Sequence, residues 1–290
     1  MRSLPSLLTA LALAAGLVAL VSGQEPATTP AAPPARVRPP VVLSDLLTHS
    51  PLTPCATGAI VTAGARPAVR VASWNIRAGR STPIAAIAEE LAAMRADIIA
   101  LQEVDVLVRR TGYVDQPVAL AAALGFHHVF AASIKWDGGD YGLALLSRWP
   151  LAEVRRYRLD ASQAGEPRII LEVLTCAGGR PLRVFNHHAD GRAPSRLAGL
   201  AALREIVGPG VGRGMLALGD FNEDPDGQGV RGLIEAGLVD LGADGNESTA
   251  DHRRIDYVLA DSLLARVASA VRVWPSDKSD HHALVAELAW

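Results

Sequence analysis

A chain of 290 residues that is 49% hydrophobic and 20% charged carries enough apolar material for a full core, which excludes a disordered chain and a small disulfide scaffold. One large domain or two small ones remain. The 28 Lys and Arg against 30 Asp and Glu leave a formal charge of -2, so overall basicity gives no argument for a nucleic-acid partner.

Met1-Arg2 is a short positive start, Leu4 to Val21 an uncharged run rich in Leu and Ala, and Val21-Ser22-Gly23 a small-residue cleavage site. Residues 1–23 are therefore read as a signal peptide, and the chain as secreted or periplasmic. At 18 residues the run is marginal for spanning a bilayer, so an uncleaved anchor is the alternative. Six prolines between Glu25 and Pro40 make 24–40 an extended linker. Residues 41–68 form an N-terminal extension and 69–290 the main domain. Cys55 and Cys176 are the only cysteines, and in an exported chain they read as one disulfide, with two buried thiols as the alternative.

Val69 to Trp74 alternates as a strand, and Ser81-Thr82-Pro83 supplies a capping residue and a proline for the start of a helix. Ile84, Ile87, Ala88, Leu91 and Met94 keep the three-and-four spacing of its buried face, and Asp97 to Leu101 reads as a fully buried strand. A helix over Pro117 to Leu124 is stopped by Gly125. Strands follow at Gly142 to Ser147, Ala152 to Leu159, Arg168 to Thr175 and Leu182 to His187, the last two joined by a hairpin at Gly178-Gly179. A helix from Pro194 to Ile206, a strand from Met215 to Leu218 and a helix from Val230 to Ala236 come next. Strands at Ile255 to Leu259, Val267 to Val273 and Leu284 to Leu288 complete the pass. Mixed strands with interspersed helices fit one α/β domain of two packed sheets with helices outside.

Several strands begin or end on residues that a core would not choose: Asn75, Glu103, His188, Asp220 with Asn222, Asp256, and Asp280 with His281. One sheet edge can collect them all. Carboxylates with an amide oxygen suit Mg²⁺ or Mn²⁺, and histidines near acids supply a base or donor close to neutral pH. Metal-assisted attack of water on a phosphate uses both.

Trp74-Asn75-Ile76, Leu101-Gln102-Glu103-Val104, Tyr141 to Arg148, Asn186-His187-His188, Gly219-Asp220-Phe221-Asn222, Arg254-Ile255-Asp256-Tyr257 and Ser279-Asp280-His281 stand in this order along the chain. The set resembles the endonuclease/exonuclease/phosphatase superfamily from about Val69 to Trp290. The resemblance implies a four-layered α/β sandwich and divalent-metal cleavage of phosphate esters. It implies that Glu103, Asn75 and Asp280 bind or position Mg²⁺ or Mn²⁺. It assigns Asp220 and Asn222 to the attacking water, and His281, oriented by Asp256, to the role of base or phosphate partner. His188 is assigned to the opposite side of the phosphate, and Arg168 resembles a family arginine near it. His187 should point to the other face, by the strand period of two. His127, His128 and His282 read as ordinary histidines, and Asp140 is only a weak candidate to orient His188. Leu143 departs from the Asn common in relatives that hydrolyse small or lipid phosphates, and Asn186-His187 departs from the usual Asn-Thr.

The GxGxxG spelling at Gly227 to Gly232 follows a loop instead of a strand, so it reads as a turn and helix start. The expected function is an exported phosphodiesterase acting on a small or lipid phosphodiester. A secreted nuclease is the alternative, with nucleic acid and membrane lipid both open as partners; a non-catalytic phosphate-binding module is the second alternative. No obligate protein partner is implied. Arg109-Arg110 and Arg155-Arg156-Arg158 would suit a nucleic-acid backbone, and each reads equally as a solvated face.

Overall fold

The computed structural model describes residues 43–49, 68–159, 165–242, 249–250 and 252–289. The expected signal peptide and linker, and Cys55, lie outside the described residues. The strands are β1 (Leu43–His49), β2 (Val69–Asn75), β3 (Ile98–Val106), β4 (His127–Trp136), β5 (Gly139–Ser147), β6 (Leu151–Arg158), β7 (Ile169–Ala177), β8 (Arg180–His188), β9 (Met215–Asp220), β10 (Leu238–Asp240), β11 (Asp256–Asp261), β12 (Arg272–Trp274) and β13 (Ala283–Leu288). The helices are α1 (Ile84–Met94), α2 (Gln116–Leu124), α3 (Ala193–Val207), α4 (Gln228–Glu235) and the short α5 (Ser262–Ala265).

Two sheets result, a seven-stranded one in the order β1-β6-β7-β8-β9-β11-β10 and a six-stranded one in the order β12-β13-β2-β3-β5-β4. Their inner faces meet through Val71, Ile98, Leu145, Val173, Leu216 and Leu284. On the outside of the six-stranded sheet, Ile87, Leu91 and Met94 of α1 and Leu120 of α2 cover Trp74, Ile99 and Leu146. On the outside of the other, Leu200 and Leu203 of α3 and Val230 and Leu233 of α4 cover Phe185, Ala217 and Tyr257. This is the four-layered α/β sandwich, and it explains why the central strands read as continuous apolar runs: both of their faces are buried.

The strand pairs β2/β3 and β8/β9 are parallel, while β11 and β13 run antiparallel to β9 and β2. The carboxyl ends of four strands and the amino ends of two therefore share one edge, where the polar residues sit. Gly219 is required there. Its φ is +139°, and a Cβ would stand 1.9 Å from the His187 carbonyl oxygen of the adjacent strand. Gly219→Ala is expected to cost about 3 kcal/mol, because backbone must move in a fully paired strand. A thermal melt checks this: a fall of about 6–12 °C is expected, and an unchanged midpoint would show that β8 and β9 are further apart.

Four local expectations need correction. The first strand is not at Val69: β1 in the extension pairs with β6, and Asp45 accepts from Arg156 at 2.7 Å and Arg158 at 3.0 Å. The edge strand β4 went unread because His127 and His128 are exposed and no alternation marks it. The run from Val267 to Val273 is strand only from Arg272. No side chain caps α1, because Pro83 and not Thr82 holds the N-cap position before Ile84; Thr82 Oγ1 donates to the Lys278 carbonyl at 2.9 Å.

Candidate active site

Strand register sets the first half of the site. His188 on β8 is level with Asp220 on β9, which is level with Asp256 on β11. The second half comes from the other sheet. Asn75 closes β2, and Glu103 lies in a β3 bulge, where the pairing with β5 slips between Leu101 and Val104 and φ reaches +53°. Such bulges re-aim a side chain at the cost of local strain. Buried Asn186 braces the bulge, accepting from Gln102 Nε2 at 2.8 Å and donating to the Leu101 and Ala144 carbonyls at 3.0 Å. His281 is held by its backbone: its carbonyl accepts from Trp74 Nε1 at 2.9 Å, and neighbouring Ser279 Oγ donates to the Asn75 carbonyl at 2.7 Å.

Asp220 is the hub. Its Oδ2 lies 3.1 Å from Asn75 Nδ2, 3.4 Å from His188 Nε2 and 3.7 Å from His281 Nε2, and its Oδ1 accepts from the Asn222 amide at 2.9 Å. Burial, and then the charge of Asp256, raise the Asp220 carboxyl above the usual range. His281 Nδ1 bonds Asp256 Oδ2 at 2.9 Å. Burial works to lower His281, but the hydrogen bond and charge of Asp256, with the charges of Asp220 and Asp280, raise it to about 9. His188 shifts the other way, well below its ordinary value, through burial and the positive charge of Arg168. Arg168 Nη1 faces His188 Nδ1 at 3.1 Å. A guanidinium only donates, so Nδ1 is the acceptor and the ring proton sits on Nε2, toward Asp220.

Asn75 Nδ2 also donates to Glu103 at 3.2 Å, while its Oδ1 accepts from the Arg77 amide at 3.0 Å. The amide thus presents nitrogen, not the expected oxygen, to the carboxylates. Asn222 stands at φ +51° and donates through Nδ2 to the Ala189 carbonyl at 3.0 Å. Asp280 is at the rim, paired with Arg77 Nε at 3.1 Å, outside the central cluster. Arg168 stands behind His188 and also pairs with Glu166 at 2.9 Å. Asp140 pairs with Lys135 at 2.8 Å and is no partner of His188. His187 faces outward against Phe221, with Nδ1 at 2.9 Å from the Ile169 carbonyl oxygen. Leu143 lies in the core between the sheets. The Gly227 to Gly232 run opens α4, where Val230 N donates to Glu223 at 2.9 Å.

Glu103, Asp220 and Asp256 are acids gathered at one edge; no ion pair reaches Glu103 among the described residues, and Asp256 Oδ1 is buried without a hydrogen-bond partner. Such a surplus of hard oxygen donors fits a divalent cation of the Mg²⁺ type. Asp220, Asp256 and His281 also have ligand atoms within 4.8 Å of one another. In that trio the imidazole is bonded through Nδ1 and held protonated, which makes it a hydrogen-bond relay; Glu103 is the better cation ligand. Tyr141 went unselected in the sequence. Burial, then the charge of Glu103, raise its hydroxyl and the charge of Arg168 lowers it, so Tyr141 stands beside both side chains at the site. Its place in the Tyr141 to Arg148 motif was the available signal.

Burial also lowers His187 to about 4. The unfolded chain, with histidine near 6.5, then binds more protons than the folded one between about pH 6.5 and 4, so stability is full above that window and lost as pH falls through it. His187 alone is expected to remove about 2 kcal/mol between pH 7 and pH 5. Urea midpoints of wild type and His187→Leu check this: the variant should show a shallower pH slope, and an equal slope would mean that His187 takes up its proton without unfolding.

The model of the Endonuclease/Exonuclease/phosphatase family matches residues 72–281, and the chain belongs to that family. It is a metal-dependent hydrolase acting on phosphate ester bonds. No curated protein matches the sequence. Among solved structures, the chain resembles a 3′ phosphatase from Neisseria bound to product DNA hairpin, with TM-score 0.60, 21% identity and coverage of 77% of this chain and 100% of that one. It also resembles the human Nocturnin catalytic domain with bound sulfate, with TM-score 0.61, 24% identity and coverage of 77% and 93%. A mannosyl-6-phosphatase of Bacteroides thetaiotaomicron gives TM-score 0.59, 18% identity and coverage of 77% and 100%.

Proposed function

We propose that the chain is an exported phosphodiesterase that uses Mg²⁺ or Mn²⁺ to hydrolyse a small or lipid phosphodiester by attack of water. The observation that carries this reading is Asp220 Oδ2, shared by Asn75, His188 and His281 at 3.1, 3.4 and 3.7 Å. Glu103 would hold the cation, with Asn75 Nδ2 positioning its carboxylate and Asp280 at the rim paired with Arg77, and the cation would supply Lewis-acid neutralisation of phosphate charge when bound. Asp220, its carboxyl raised by burial, takes the proton of the attacking water, and Asn222 steadies the loop that carries it. His281, kept protonated by Asp256, faces the phosphate as a cation. His188 donates from Nε2 to a phosphoryl oxygen on the other side, and Arg168 fixes that tautomer. A panel of plasmid DNA, RNA, sphingomyelin, phosphoinositides and a chromogenic phosphodiester, each with Mg²⁺ and with Mn²⁺, tests the reading. Turnover of DNA or RNA alone would replace it with a nuclease; turnover of none would leave a binding module.

A disulfide between Cys55 and Cys176 is part of the same proposal for an exported chain. β1 ends at His49, opposite Glu153, which lies opposite Leu174 on the strand that carries Cys176. That brings the chain six positions before Cys55 to the right sheet edge, and no free cysteine is present among the described residues. The loop closed would contribute about 4–5 kcal/mol in the chain-entropy model. Thiol labelling of denatured, unreduced protein should find no reactive thiol; two would overturn the pairing.

A further inference from the structure

Beside the catalytic edge two segments of the chain are tied into one tip. Leu107 N donates to the Val114 carbonyl at 3.0 Å, Tyr113 N to the Val108 carbonyl at 2.9 Å, and Arg109 N to the Asp137 carbonyl at 3.3 Å, which ties the loop after β3 to the β4–β5 turn. Leu107, Tyr113 and Trp136 are 51%, 57% and 47% exposed on it. Leu107 and Tyr113 also hold positive φ, at 56° and 58°, so bulky apolar residues are kept in a strained backbone without burying themselves. Arg110 links this tip to the site: its guanidinium lies 5.6 Å from the Trp136 ring centre and 5.4 Å from that of Tyr141.

Charge decides what such a surface fits. Its cations are all engaged: Arg109 with Asp137 at 2.6 Å, Arg110 with buried Asp105 at 2.8 Å, and Lys135 with Asp140 at 2.8 Å. With Asp115 also present, acids outnumber cations across 105–116 and 133–141. Arg109 and Lys135 stay exposed in their pairs, but with acids in the majority the tip offers a phosphate backbone no net positive charge. Exposed Trp, Tyr and Leu on a tip of nearly balanced charge match the interfacial zone of a zwitterionic bilayer, where amphipathic rings settle at headgroup depth. We infer that Leu107, Tyr113 and Trp136 dock the catalytic edge onto a zwitterionic phospholipid surface, which presents a lipid phosphodiester to the site. Docking stands apart from the proposed chemistry; the substrate class rests on it.

The test uses the full chain with vesicles of phosphatidylcholine brominated in the acyl chains, without divalent metal. Trp136 emission, taken as wild type minus Trp136→Phe, should be quenched, with little change between low and high salt. Quenching that is equal in wild type and Trp136→Phe, as when the apolar N-terminal run alone holds the chain, overturns the inference. So does binding confined to DNA or anionic vesicles and abolished by salt. Turnover separates the two readings. Leu107→Ser/Trp136→Ser should keep its rate on a soluble chromogenic phosphodiester and lose more than tenfold on vesicle-borne lipid. An equal loss on both substrates counts against docking. Quenching of Trp136 in a protein that hydrolyses nothing supports docking and removes the phosphoesterase reading.

Discussion

Replacing Glu103 with glutamine should lower phosphodiester turnover by at least about 10³-fold, since a cation that neutralises phosphate charge is worth several kcal/mol in the transition state. A neutral amide is a poor ligand for a hard cation, while its oxygen can still accept from Asn75 Nδ2, now 3.2 Å from the carboxylate. The fold should survive, because Glu103 is only partly buried and makes no ion pair among the described residues. Steady-state rates over a Mg²⁺ titration, with a thermal melt alongside, measure both effects. A variant that keeps a tenth of the wild-type rate at every metal concentration would move the cation site away from Glu103.

His281→Ala is expected to cost on the order of 10²- to 10⁴-fold, the range for a positioned proton-transfer or electrostatic group. Its ring is bonded to Asp256 at 2.9 Å and raised to about 9, so it acts in the protonated form at neutral pH. Asp256→Asn should fall in the same range, because an amide neither fixes the tautomer nor sustains the charge. The double variant should then be little worse than either single one. Additive losses would mean that Asp256 serves the site independently, through its unpartnered Oδ1.

The layered fold was readable because both faces of its central strands are buried, so Asp97 to Leu101 and Met215 to Leu218 announce themselves as apolar runs, while Val69 to Trp74 shows by its alternation. The edge strands were not. β1 leaves Leu46 and Leu47 exposed, β4 opens on exposed His127 and His128, neither shows alternation, and both form because a neighbouring strand offers a ladder. Site membership followed from polar residues placed at strand ends, which is a local signal. Geometry was a different matter. The bulge that turns Glu103 inward depends on pairing between β3 and β5, and the orientation of the Asn75 amide depends on a backbone amide two residues away. Asp280 and Arg168 show the same limit: sequence placed them at the site, whereas their bonds to Arg77, and to His188 and Glu166, put one at its rim and the other behind a histidine. Of the Arg109-Arg110 and Arg155-Arg156-Arg158 runs, the sequence could not show that Arg109, Arg110, Arg156 and Arg158 pair with acids brought close by the fold.

The most direct measurement of the central claim is hydrolysis of a chromogenic phosphodiester by purified protein, first stripped with excess chelator and then resupplied with Mg²⁺ or Mn²⁺. The expected result is no turnover in chelator, recovery on adding metal, and no recovery in Glu103→Gln at equal concentration. Full turnover in excess chelator, with Asp220→Asn as active as wild type, would contradict metal-dependent hydrolysis at this site.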